Sequence, residues 1–157
     1  MKEEFNALLK NDTWTLTKLP PGRKALKSKW TFKIKPGAGE APPRYKARLV
    51  AKGFTQTPGI DYEETYAPVV RYESLRVILA ISAARDLEMI QLDVQTAFLN
   101  GELEEEIYLE QPEGHIIKGR ESEVCKLKKS IYGLKQSSRV WNKKFDHFIT
   151  LFGLQRS

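Results

Sequence analysis

Leu26-Lys27-Ser28-Lys29-Trp30-Thr31-Phe32-Lys33-Ile34-Lys35 is the most regular stretch of the chain. Alternate positions read Leu26, Ser28, Trp30, Phe32 and Ile34 on one side and Lys27, Lys29, Thr31, Lys33 and Lys35 on the other. Successive side chains of a strand point to opposite faces, so this period of two predicts a half-buried strand with a cationic outer face. Beyond a loop at 36–43, flexible at its Gly-rich start and stiff at its Pro-Pro end, a second alternation begins. It sets Tyr45, Ala47, Leu49 and Ala51 against Arg44, Lys46, Arg48 and Lys52. Paired as an antiparallel hairpin, the two strands would carry two rows of cations on one face. Like charges placed opposite each other destabilise a strand pair; an anionic partner removes that penalty. The hairpin therefore predicts contact with nucleic acid, each neutralised phosphate steepening the salt dependence of binding by about 0.7 to 0.9 log units.

The wider composition agrees. The 157 residues carry a net charge of +6, with 41% hydrophobic and 29% charged residues, a globular composition long enough for one domain with a core. The charge is segregated. Residues 1–56 hold 13 basic against 4 acidic side chains, 57–114 hold 3 against 13, and 115–157 hold 10 against 3. Basic flanks around an acidic centre suit a polyanion handled together with cations, although solvated faces can also segregate in this way. No apolar run spans a bilayer and no secretory leader is visible at Met1-Lys2-Glu3-Glu4, so no membrane contact and no secretion are expected. The single cysteine, Cys125, suits a reducing compartment and reads as a small core residue.

Other elements are coarser. Phe5, Leu8 and Leu9 predict an opening helix ending near Asn11-Asp12, and Pro20-Pro21-Gly22 a turn. Ser74 is the expected N-cap of a helix ending near Asp86. Residues 89–94 read as a strand followed by a helical turn that stops at Asn100-Gly101; 107–109 and 124–127 read as short strands. Glu102, Glu104, Glu105 and Glu106 read as a solvated turn. The stripe Trp141, Phe145, Phe148, Ile149 and Phe152 predicts a final helix packed on the core and ended by Gly153. There is no phosphate-cradling Gly-rich loop, no Gly-x-Ser-x-Gly and no Cys/His cluster at zinc spacing; His115 and His147 are isolated. Asp93 stands out in Gln91-Leu92-Asp93-Val94-Gln95 as an acid in an apolar run. A carboxylate there must be hydrated, paired or metal-bound, so it is either a strand-end residue facing water or part of a site.

Several segments, in order, resemble one family. They are Trp14; Lys29-Trp30; the run from Arg44-Tyr45-Lys46-Ala47-Arg48 to Gly53-Phe54; Gly59-Ile60-Asp61-Tyr62; Tyr66-Ala67-Pro68-Val69; Leu92-Asp93-Val94 with Ala97-Phe98-Leu99-Asn100-Gly101; Gln111-Pro112-Glu113-Gly114; and Tyr132-Gly133-Leu134-Lys135-Gln136 with Trp141. Together they resemble the reverse transcriptase of copia-type LTR retrotransposons over nearly the whole chain. The resemblance implies an α+β, right-hand polymerase fold, with 1–86 mainly fingers and 87–157 a partial palm with some fingers elements. It implies RNA-directed DNA polymerase activity on an RNA template, a DNA primer and deoxynucleoside triphosphates, within a Pol polyprotein and, in an active element, a cytoplasmic virus-like particle.

The same resemblance assigns roles. Asp93 would be the catalytic, Mg²⁺-binding carboxylate, with the main-chain carbonyl of Val94 as a further ligand. Lys46 or Arg48 would contact the triphosphate; a one-residue shift in alignment leaves open which. Phe98 would exclude a 2′-hydroxyl, unless it is ordinary packing beside the strand. Tyr132 and Gly133 would lie against the nucleotide and template; the hairpin's own charge pattern, not the resemblance, assigns nucleic-acid binding to Lys27, Lys29, Lys33, Lys35, Arg44 and Lys52. The family's paired aspartates, expected after the final helix, do not occur in these 157 residues. The chain is therefore expected to be inactive alone, as part of a longer polyprotein or the remnant of a decayed element. The rival readings are a non-catalytic nucleic-acid binder and a product without function. An open sheet edge and poor solubility are also expected.

Overall fold

The computed structural model describes residues 1–37, 39 and 41–154; the loop expected at 36–43 lies partly outside them. The order is α1 (Lys2–Lys10), β1 (Trp14–Thr17), β2 (Ser28–Lys35), β3 (Arg44–Ala51), α2 (Tyr72–Ala84), β4 (Tyr108–Leu109), β5 (Val124–Leu127) and α3 (Ser137–Leu151), with short helical turns at Gly53–Thr55 and Ala97–Asn100. Helices are mixed with two antiparallel sheets, one ordered β1-β5-β4 and one made by β2 and β3. No described helix is long and apolar enough to cross a membrane.

The expected hairpin forms. Trp30 lies opposite Leu49, Phe32 opposite Ala47 and Ile34 opposite Tyr45; on the other face Thr31 lies opposite Arg48, Lys33 opposite Lys46 and Lys35 opposite Arg44. Its apolar face is covered only at the base, where Leu49 and Ala51 are buried. Phe32, Ile34 and Tyr45 remain exposed, so the outer half projects as a two-stranded ribbon. The base is tied to the three-stranded sheet through Leu26, whose N–H donates to the Tyr108 carbonyl (2.7 Å) and whose carbonyl accepts from Glu110 N–H (2.8 Å). Leu8, Leu26, Leu49, Leu109, Cys125, Leu127 and Ile131 form the core beneath. Cys125 belongs to it as expected, and burial pushes its thiol up to about 12.

Three expectations need correction. Residues 89–94 form no strand: no described segment pairs with them, and Ile90 and Leu92 are each 84% exposed. An alternating sequence predicts which face is buried only if a neighbour supplies the hydrogen bonds. The second helix begins at Tyr72 with Arg71 as its extended N-cap, not at Ser74. The α3 stripe is not core packing, because Phe145, Phe148 and Phe152 are all exposed, although Gly153 does end the helix with φ +77°.

The expected solvated turn also contains an organised residue. Glu106 accepts hydrogen bonds from Arg23 (2.9 Å), the Tyr108 hydroxyl (2.7 Å) and Lys126 (2.8 Å). Lys126, then Tyr108, then Arg23 hold its carboxyl down from 4.5 to about 2. A depressed carboxyl contributes stability in full above its unfolded value and loses it as pH falls through its folded value. Thermal unfolding midpoints should therefore fall between pH 4.5 and 2. Glu106→Gln should lower the neutral-pH midpoint and flatten that part of the curve; an unchanged acid limb in the variant would remove Glu106 as its source.

Candidate nucleotide and nucleic-acid site

A cavity of about 950 Å³ runs along β3, between the start of α1 and the segment after residue 92. Lys35, Arg44, Lys46 and Arg48 contribute from β2 and β3; Asp93, Val94, Gln95 and Thr96 face them, and Tyr132 lines it as well. The acid singled out in the sequence and the cations of the hairpin thus open onto one space. Asp93 itself is exposed, so hydration satisfies it in the free protein. Lys27, Lys29, Lys33 and Lys52 share the hairpin's cationic face but do not line this cavity. The Lys52 N–H instead donates to the Lys27 carbonyl (2.8 Å), extending the ribbon by one pair.

A narrower pocket of about 50 Å³ adjoins the same residues, lined in part by Lys46, Arg48, Thr96, Phe98 and Tyr132. Three side chains stack there. The Arg48 guanidinium lies 5.0 Å from the Tyr132 ring centre, and Phe98 meets the same ring edge-on at 4.8 Å. A planar guanidinium over an aromatic face is held by the ring quadrupole and keeps its N–H groups available. The buried Arg48 Nε has no hydrogen-bond partner among the described residues. Lys46 and Arg48 both line the two cavities; Arg48 is the one fixed over an aromatic ring.

The local backbone explains how these groups meet. Ala51 N–H donates to the Tyr132 carbonyl (2.8 Å). Gly133, at φ +93°, passes so close to β3 that a Cβ there would lie 2.1 Å from the Ala51 carbonyl oxygen; a Cβ on Gly53 would lie 2.0 Å from the Gly133 carbonyl oxygen. Gly133 lines neither cavity, so its visible part is to let this loop touch the hairpin. Phe98 is fixed from below by Ser130, whose hydroxyl donates to its carbonyl (2.5 Å). Sequence reasoning missed three further features. Gln56 and Gln136 are buried and bonded to each other (3.1 Å), Gln56 also accepting from Lys135 N–H (2.8 Å) and Gln136 donating to the Asp61 carbonyl (2.8 Å). Thr96 sits at φ +51°, a left-handed conformation unusual for a β-branched residue and costing on the order of 1–2 kcal/mol. Glu4 of α1 lines both cavities.

Among the described residues no three His, Cys, Asp or Glu side chains cluster closely enough to hold a metal. Asp93 and the Val94 carbonyl alone would therefore supply an incomplete oxygen donor set. That fits Mg²⁺, which commonly takes one or two carboxylates and completes its shell with water and substrate phosphates.

A ribbon of exposed cations with an acid across a cavity defines a protein chemically suited to phosphate-bearing partners. The sequence profile of the reverse transcriptase (RNA-dependent DNA polymerase) family matches residues 11–157. The Retrovirus-related Pol polyprotein from transposon TNT 1-94 of Nicotiana tabacum is 55% identical over 149 residues, 95% of this chain and 11% of that protein. Those from transposons RE1 and RE2 of Arabidopsis thaliana are each 42% identical over 158 residues, 100% of this chain and 11% of theirs. No solved structure matches the chain. The chain belongs to the reverse transcriptase family, as a domain of the kind found in retrotransposon Pol polyproteins. It spans about a tenth of the length of the curated relatives it matches.

Gly133→Ala should destabilise the chain by roughly 2–4 kcal/mol, the sum of a clash with packed backbone and a left-handed alanine. Urea unfolding measures this. A loss under about 1 kcal/mol would show that the loop and β3 separate without consequence.

Proposed function

We propose that this domain takes part in template-directed addition of deoxynucleotides to a primer 3′-end, copying RNA into DNA. The observation that carries the reading is that Asp93 shares one cavity with Arg44, Lys46 and Arg48. Residues 1–86 then act mainly as fingers and 87–157 as part of a palm. Arg48 and Lys46 receive the triphosphate, Arg48 pre-aligned by its stack on Tyr132. Phe98, braced edge-on by Tyr132, closes the pocket against a 2′-hydroxyl. Gly133 keeps the Tyr132 loop against β3, so that nucleotide and template meet a fixed surface. Lys35, with Lys27, Lys29, Lys33, Arg44 and Lys52 along the ribbon, neutralises template and primer phosphates.

Asp93 and the Val94 carbonyl would hold Mg²⁺. Bound there, the ion would lower the barrier to phosphoryl transfer by stabilising charge on the attacking and leaving oxygens. A single carboxylate does not complete a two-ion arrangement, so polymerisation requires acidic residues and partner segments from the rest of a Pol polyprotein. These 157 residues alone should bind nucleic acid without extending a primer.

In a full-length Pol polyprotein carrying this domain, Asp93→Asn should reduce Mg²⁺-dependent primer extension by about 100-fold or more, the effect of losing several kcal/mol of charge stabilisation. Equal extension by wild type and variant would exclude Asp93 from the reaction. For the isolated chain, charge reversal at Lys46 and Arg48 should weaken RNA binding. It should also flatten the plot of log affinity against log salt, by about 0.7–0.9 for each phosphate no longer neutralised. Unaltered slopes would place the RNA elsewhere.

A further inference from the structure

Glu4 is the acid of the narrow pocket, whose cations are Lys46 and Arg48. It lies in the first turn of α1, the helix that packs on β3, and it is half-buried. Its side chain lines the large cavity together with Lys46, Arg48 and Asp93, and it also lines the narrow pocket beside Phe98 and Tyr132. Burial holds its carboxyl above the ordinary value, only partly offset by the Leu49 backbone N–H and the positive charges of Arg48 and then Lys46. Neither Arg48 nor Lys46 forms an ion pair with a carboxylate among the described residues. Glu4 therefore acts on them through space rather than through contact.

That placement has a consequence for any anion entering the pocket. In the large cavity Lys2, Lys35, Arg44, Lys46 and Arg48 attract it and Glu3, Glu4 and Asp93 repel it; of these acids only Glu4 also lines the narrow pocket beside Lys46 and Arg48. A polyphosphate offering nothing but charge gains less than Arg48 and Lys46 alone would give it. A nucleotide that also stacks and pairs with a template still gains those further contacts. We propose that Glu4 is a specificity-determining counter-charge, which holds down the pocket's affinity for bare polyphosphates and for unpaired deoxynucleoside triphosphates. The inference rests on the reading that Lys46 and Arg48 receive a triphosphate.

The test is calorimetric titration of inorganic tripolyphosphate, and separately of a deoxynucleoside triphosphate without template, into the 157-residue chain and its variants. Glu4→Gln should bind both roughly tenfold more tightly than wild type. Glu4→Asp, which keeps the charge, should bind as wild type, and Arg48→Gln should lose binding in either background. A purely structural part for the side chain predicts lower thermal midpoints without tighter binding. Glu4→Gln binding no better than wild type, or Glu4→Asp binding as tightly as Glu4→Gln, would overturn the inference while loss of binding in Arg48→Gln still upheld the triphosphate site. Absence of binding in wild type and Glu4→Gln alike would overturn both.

Discussion

The contact on which the site depends is the meeting of two backbones, the end of β3 and the turn at residues 132–133. The Ala51 N–H reaches the Tyr132 carbonyl at 2.8 Å, and the facing glycines, Gly53 and Gly133, leave no Cβ to hold the chains apart. Because β3 rises by about 3.3 Å per residue, fixing Ala51 also fixes Arg48 three residues before it, above the Tyr132 ring. Phe98 meets the same ring edge-on. The buried Gln56–Gln136 pair spans the two segments behind this contact. Buried amides are costly to leave unmade, so the pair favours one relative position of the two loops over any sliding between them.

Packing is uneven along the chain. Leu8, Leu26, Leu49, Leu109, Cys125 and Ile131 form one tight cluster under the hairpin base. By contrast α2 buries only Ser82, and Leu75, Val77, Ile78, Leu79 and Ile81 all face solvent. Phe145, Phe148 and Phe152 do the same on α3. Contiguous apolar surface of this extent is unusual on an isolated domain. The cationic cavity borders both parts: Arg48 and Tyr132 lie near the packed base, whereas Lys35, Arg44, Lys46 and the segment at 93–95 are exposed.

What can be read from the sequence follows from where each signal comes from. The hairpin is legible because both of its strands alternate, and each is the other's partner, so pattern and pairing are supplied by one short segment. The strand expected at 89–94 has the pattern without a partner, and the α3 stripe has the periodicity without a surface to cover it. Periodicity names a face, but burial needs a second element. The resemblance singles out Asp93, Lys46, Arg48, Phe98 and Tyr132; Lys46, Arg48 and Tyr132 line both cavities, Asp93 the larger and Phe98 the narrower. Glu4 is not legible in this way, because its neighbours Lys46 and Arg48 are distant in sequence and α1 offers no reason to single out one of its two first-turn acids. Thr96 is hidden for a different reason. Nothing local favours a left-handed threonine, so its conformation is imposed by the turn that aims Phe98.

Asp93 and the hairpin together place opposite requirements on a ligand. The row containing Lys33, Lys35, Arg44 and Lys46, with like charges directly opposed, is relieved by an anion. The same anion, drawn into the cavity, approaches a carboxylate that repels it. Both conditions are met if phosphate arrives with a divalent cation, which turns the repulsion between Asp93 and a phosphate oxygen into a shared coordination. A monovalent ion would do so weakly, and a soft metal would find no thiolate there, since Cys125 is buried in the core. The charge layout thus sets an anion-attracting ribbon and an anion-repelling carboxylate on one cavity, and a ligand that carries both signs of charge satisfies the two together.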